Sequence, residues 1–191
     1  MKKIFILLFL IFGLQQITHA DDIRDFQIEG VSIGDSMLKF FSEKELIDGI
    51  RKDSYKNSDK KFIDINLKAE WFEQYEGIQV TIKRNDKKYI AQSVDGGIFF
   101  DREKKPCINK MEKIINEMSN LFKETVFEPQ EENTHYADPS GKSKVFGSSV
   151  FLDNGTISVY CYLWDDAMNY VNYVAVSTKT NEFNEWLTNL Q

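Results

Sequence analysis

The chain has 191 residues, 24 basic and 30 acidic side chains and a net charge of −6, which is length enough for one substantial core. Its lysine pairs, Lys60-Lys61 and Lys104-Lys105, sit among Asp and Glu, so no clustered basic face is available for nucleic acid. Two cysteines and two histidines leave little material for a metal centre or an activated nucleophile.

Taken in order, Lys2 and Lys3, the apolar run Ile4 to Leu14 and the small-residue close Thr18-His19-Ala20 read as a secretory signal peptide over residues 1–20. The run is too short for a bilayer core of ~30 Å, no second one follows, and residue 21 is Asp rather than a lipid-bearing Cys. The expectation is therefore a soluble periplasmic or secreted chain without a membrane anchor, starting at Asp21. Without the leader it keeps 171 residues and a net charge of −8.

Ser32 and Asp35 then precede Met37, Leu38, Phe40, Phe41 and Leu46, a helical apolar spacing that predicts a first helix near 33–48. Ile63, Ile65 and Leu67 alternate with polar residues, as do Ile78, Val80 and Ile82, and both read as strands. Asn85-Asp86 turns the chain into a third strand, Tyr89 to Val94, and Asp95-Gly96-Gly97 reads as a further turn before Ile98 to Phe100. Pro106 suits a helix start, and Ile108, Met111, Ile115, Met118 and Phe122, with Ile114 and Leu121 beside them, form the stripe of a second helix over about 107–124.

Residues 128–144, interrupted by Pro129 and rich in Glu, read as a long irregular connection. Asn154-Gly155 predicts a hairpin between strands of about 145–152 and 156–163. With those two residues as the turn, Val150 pairs with Val159 and Ser148 with Cys161 on an apolar face. Ser149 then pairs with Tyr160 and Gly147 with Tyr162 on the other. Tyr170 to Ser177 supplies another strand, and Phe183, Trp186, Leu187 and Leu190 a closing helix after Thr180 or Asn181. The order is α-β-β-β-α-β-β-β-α, an α+β fold with an antiparallel sheet of about six strands and helices packed on one face. It reads as a single domain over 21–191, with halves at 21–105 and 106–191 that suggest a duplicated α-β-β-β unit.

Cys107 leads the second helix and Cys161 points to the core face of the hairpin, so in an oxidising compartment the two are expected to be bonded. Their loop of 53 intervening residues corresponds to roughly 4 kcal/mol in the chain-entropy description.

Candidate chemistries are sparse. Val31-Ser32-Ile33-Gly34-Asp35-Ser36 resembles the nucleophile block of GDSL esterases, but the later blocks that supply an oxyanion Asn and a D-x-x-H base are missing, and His135 is the only candidate base. Gly141-Lys142-Ser143 lacks the first glycine of a phosphate loop, because Tyr136 stands there. No cofactor and no metal is expected. On the polar face of the hairpin, Phe151, Tyr160 and Tyr162, with Trp164 beyond, form a candidate binding face, since large aromatic rings give contact area at low entropic cost.

The run Ile28 to Leu38, together with Cys161-Tyr162-Leu163-Trp164, resembles small exported proteins of marine alphaproteobacteria, a likeness that implies export and no particular activity. Gly30-Val31-Ser32 leading into a helix and three strands is similar to the outer-membrane-assembly lipoprotein BamE and to its tandem form in β-lactamase inhibitory proteins. This chain departs from BamE in lacking the lipid-bearing cysteine. The expectation is a non-enzymatic module that binds a protein, peptide or glycan; the alternatives are a small hydrolase using carboxylates and a structural envelope component.

Overall fold

The computed structural model describes residues 22–55, 59–122 and 127–190; the leader expected at 1–20 lies outside the described residues. Seven strands form one antiparallel sheet: β1 (Phe62–Leu67), β2 (Ile78–Lys83), β3 (Ala91–Phe99), β4 (Glu128–Thr134), β5 (Lys144–Leu152), β6 (Gly155–Leu163) and β7 (Tyr173–Thr180). Their order is β1-β2-β3-β7-β6-β5-β4. Two meanders, β1 to β3 and β4 to β7, thus meet along the β3–β7 pair, whose register runs from Ser93 opposite Lys179 to Phe99 opposite Tyr173. The helices are α1 (Glu43–Asp48), α2 (Lys104–Leu121) and α3 (Asn181–Thr188). The α+β class and the antiparallel sheet agree with the sequence pattern, and the strand count is seven rather than about six.

The additional strand is β4. The stretch 128–144 is not an irregular connection: backbone of 128–134 pairs with β5 and only the turn that follows is irregular. Pro129 and three glutamates suit an edge strand, because an edge has no further ladder to complete and charge there discourages pairing with other chains. The opposite edge, β1, is shielded as well. Asn66 N–H donates to the Gly49 carbonyl at 2.9 Å and Arg51 N–H to the Asp64 carbonyl at 2.9 Å, so residues 49–51 lie along it.

The first predicted helix is shorter than its apolar spacing suggested. Residues 37–39 make a single 3₁₀ turn, and α1 starts only at Glu43, where Ser42 and Glu45 form a capping box. The chain before it is held instead to the start of β3: Gly34 N–H donates to the Ala91 carbonyl and Met37 N–H to the Tyr89 carbonyl, both at 3.0 Å. Asp95-Gly96-Gly97 is likewise not a turn, since β3 runs straight through it. Gly96 is required there because the Tyr75 ring lies where a Cβ would be.

The β5–β6 hairpin has its turn one residue earlier than predicted, at Asp153-Asn154, so Val150 faces Ile157, Ser148 faces Val159 and Gly147 faces Tyr160. A shift of two in register preserves which face each side chain occupies. Asn154 is used for its amide, which accepts from Ile23 N–H at 3.1 Å and donates to Asp22 Oδ1 at 2.6 Å. Gly155 is used for its missing side chain, because the Lys179 carbonyl and the Ile23 side chain close on it.

One face of the sheet carries Ile65, Val80, Val94, Val159, Val174 and Val176, each buried, under α2 and the segment 23–41. The buried stripe of α2 is Cys107, Met111, Ile114 and Met118, while Leu121 is exposed. The Cys107–Cys161 disulfide, Cα–Cα 5.8 Å, ties this helix to the middle of β6. The helices are not all packed on one face, as the sequence pattern suggested: α3 lies on the opposite face, because the buried Phe62 ring points there and needs apolar cover. Its Phe183 and Trp186 pack on Phe62 with ring centroids 5.1 and 4.9 Å apart, and Tyr55 completes the cluster.

Converting Cys107 and Cys161 together to alanine is expected to lower the unfolding free energy by about 2–4 kcal/mol. The measurement is urea denaturation followed by circular dichroism. A midpoint equal to that of the oxidised wild type would show that the bond carries none of the stability.

Candidate functional site

Where α3 ends, the face opposite α2 lies open, and antiparallel pairing arranges its side chains in rows across the strands. One row is polar: Asn66, Gln79, Asp95, Ser177 and Ser158 stand opposite one another on β1, β2, β3, β7 and β6. The next consists of small residues, Gly97 beside Ala175, ending at Tyr160. The third is aromatic: Phe99, Tyr173 and Tyr162. Rows two residues apart along a strand are separated by about 6.7 Å, so the polar and aromatic rows flank a strip about 13 Å wide whose middle has almost no side chains. A cleft of about 830 Å³ lies here, bordered by the rows from β1 to β7 and by Tyr162 and, beyond β1, by Glu45, Asp48, Lys68 and Glu76; Ser158 and Tyr160 lie outside it.

The polar wall is preorganised. Asp95 accepts hydrogen bonds from Ser177 Oγ across the β3–β7 seam and from Ser93 Oγ at 2.7 Å. These hydroxyls hold the carboxylate in one orientation at the border of the cleft. Four carboxylates of the cleft, Glu45, Asp48, Glu76 and Asp95, outnumber its two ammonium groups, Lys68 and Lys179.

The aromatic wall is continuous. Tyr162 and Tyr173 stack at 4.7 Å with an interplanar angle of 11°, and Phe99 follows at 5.8 Å. In the other direction Tyr162 meets His135 at 5.6 Å, His135 meets Trp164 at 4.3 Å, and Trp164 meets Tyr170 at 4.8 Å. Tyr136 stacks on His135 and is 96% exposed, presenting a free ring face. Burial, with the nearby Tyr136 and Asp95, pushes the Tyr173 phenol up to about 12, so it remains a proton donor throughout the physiological range.

Of the four residues proposed as a binding face, the structure joins Tyr160, Tyr162 and Trp164 in this aromatic system. Phe151 shares the face but stands opposite Thr156 near the hairpin turn, outside the cleft. The Tyr160 ring lies over Gly147, where any Cβ would collide with it. Asn66, Gln79, Asp95, Gly97, Phe99, Tyr173, Ala175 and Ser177 were missed by sequence reasoning. Their signal was the alternation of Tyr173, Ala175 and Ser177 with the core residues Val174 and Val176, read for its apolar half alone.

His135 is not poised as a base. It is buried, its Nδ1 accepts from Ala137 N–H at 3.1 Å, and desolvation lowers its pKa, leaving a neutral ring wedged among Tyr136, Tyr162 and Trp164. Ser143 and Asp138 lie in the same turn, but the Ser143 hydroxyl donates to Asp138 Oδ2 at 2.6 Å and accepts from Asp165 N–H at 2.9 Å, a loop clamp rather than a relay to histidine. Ser36, the serine of the esterase-like block, donates to the Lys88 carbonyl at 2.6 Å. Among the described residues no cluster of three or more His, Cys, Asp or Glu could hold a metal ion.

A second carboxylate of the same sheet face, Asp64, is closed off. It accepts from Tyr55 Oη at 3.0 Å and Thr81 Oγ1 at 2.8 Å beneath the α3 cluster, and burial raises its pKa despite those bonds. The folded state therefore retains a proton on Asp64 at pH values where the unfolded chain has lost it. Over that interval, upward from the ordinary aspartate pKa, the contribution of Asp64 to stability declines as pH rises. Asp64→Asn removes this slope. Urea midpoints of wild type and variant across pH 4–7 are expected to show the wild type losing ground to the variant as pH increases, and a constant difference would contradict the assignment.

No protein-family model, no curated protein and no solved structure matches this chain, so the reading of the cleft stands on its own residues.

Proposed function

We propose that this chain is an exported, non-catalytic binding module that takes its ligand across the open face of the sheet. Export accords with the leader-like first twenty residues and with a disulfide, which persists in oxidising compartments. Among the described residues no helix is long and apolar enough to cross a membrane. The observation that carries the reading is the cleft itself: an aromatic wall and an oriented polar row face each other across bare backbone at Gly97 and Ala175. Largely apolar walls with a few convergent polar groups characterise small-ligand sites, and a rigid sheet supplies the preorganisation that binding needs.

The hydrolase reading requires two carboxylates acting on one substrate. Glu45, Asp48, Glu76 and Asp95 border the cleft, but Asp64, the carboxyl whose raised pKa would suit a general acid, is shielded by Tyr55 and does not border it. Binding is therefore favoured over turnover.

Gly97→Trp is expected to fill the strip, and its Cβ meets only the Phe99 ring, at 3.5 Å. In an amide NMR screen against peptide and oligosaccharide libraries, wild type is expected to show ligands that shift the Gly97 and Ala175 resonances, and the variant to lose them. Ligands that bind both proteins alike would overturn the assignment to this cleft. Conversion of a ligand to products, abolished by Asp95→Asn, would overturn the non-catalytic reading.

A further inference from the structure

Resting on that reading of the cleft, we infer that its occupant is an uncharged glycan, lying across the strands with a sugar ring against the exposed Phe99, beside Tyr173, and its hydroxyls toward Asp95, Gln79 and Asn66. The argument starts from what the cleft cannot offer. It crosses β2, β3 and β7, interior strands paired with their neighbours, save that β3 runs on past the start of β2 over residues 97–99, where only its β7 side is paired. An extended peptide gains its affinity by adding to a free sheet edge, and here residues 49–51 cover β1 while Pro129 interrupts the donors of β4. A peptide laid across the strands would find backbone partners along residues 97–99 alone, and most of its own amides would be desolvated without compensation.

What the cleft does offer is planar polar side chains in one row and aromatic rings in another, where Tyr173 stands between Tyr162 and the exposed Phe99. A pyranose has the complementary anatomy. Its C–H face is weakly positive and suits the negative face of an aromatic ring, while its equatorial hydroxyls radiate from the edge and both donate and accept. Asp95 is an acceptor fixed by Ser93 and Ser177, Gln79, whose Oε1 already accepts from Arg51 Nη1 at 3.0 Å, offers its amide N–H donors, and the amide of Asn66 can serve either role. The strip between the rows has room for a ring, because Gly97 and Ala175 project at most a methyl group.

Charge selects among glycans. Four carboxylates against two ammonium groups line the cleft, and the cations at its rim are engaged, Lys44 with Asp48 and Arg51 with Gln79, so a uronate or sulfated chain is disfavoured. Length follows from the aromatic system: beyond Tyr162 the rings of His135, Trp164 and Tyr170 continue toward the edge of the sheet, and Tyr136 offers an open face there. An oligosaccharide is accommodated better than a monosaccharide.

The test is titration of the full exported chain with neutral hexasaccharides, namely cello-, chito- and laminari-oligomers, beside an alginate hexamer, read by amide NMR. The expected result is that at least one neutral oligomer shifts Gly97 and Ala175, that alginate does not, and that Tyr173→Ala and Asn66→Ala each weaken binding by roughly tenfold. Asn66 is exposed, so its variant stays informative where Tyr173→Ala affects folding. Equal binding of alginate, or neutral binding untouched by either variant, would overturn the inference. Peptide binding at the same amides with no oligosaccharide response would overturn the glycan assignment while leaving the cleft as a binding site, whereas silence of these amides toward every probe would overturn both.

Discussion

The antiparallel pairing of β3 with β7 is the contact on which the rest of the molecule depends. These strands are remote in sequence, and each closes its own meander, so the register between them decides whether the chain has one sheet or two. On one face the seam places Val94 beside Thr178, Gly96 beside Val176 and Ile98 beside Val174, within reach of α2. On the other it sets Asp95 beside Ser177, Gly97 beside Ala175 and Phe99 beside Tyr173. Core and cleft are two sides of one register, and a slip of a single residue would exchange them.

The helices decide which side becomes a site. α2, fastened by the Cys107–Cys161 bond, covers β5, β6 and β7 on the apolar face. α3 caps the other face only at the end where Phe62 needs cover, through Phe183 and Trp186, and the remainder of that face stays uncovered by helix. The open region is thus what is left when the aromatic residues at one end have partners in α3 and those at the other end have partners in one another.

The same division separates two aspartates that look alike in sequence. Asp64 and Asp95 both occupy polar positions of alternating strands, yet Asp64 lies under Tyr55 and is pushed toward its neutral form by burial. Asp95 keeps access to the cleft, with two serine hydroxyls to orient it. Solvent access, set by where α3 and the chain before β1 lie, gives one carboxyl a structural task and leaves the other free to meet a ligand.

The sequence by itself determined the α+β class, the antiparallel pattern, the second and third helices and the cysteine pair, because period-two alternation, helical apolar spacing and two lone cysteines are local or nearly local signals. It also placed Tyr160, Tyr162 and Trp164 on one face, since a register error of two residues leaves facing unchanged. It could not show that 128–134 forms a strand, because an edge strand with Pro129 and several glutamates draws its stability from a neighbour rather than from its own apolar residues. Nor could it show that Asp95-Gly96-Gly97 runs straight: those glycines have the composition of a turn, and only the Tyr75 ring on one side and the neighbouring strands explain them as sheet. The cleft was out of reach for the same reason, since its walls come from strands that meet only after the long-range β3–β7 pairing has formed, and that pairing is a property of the folded chain.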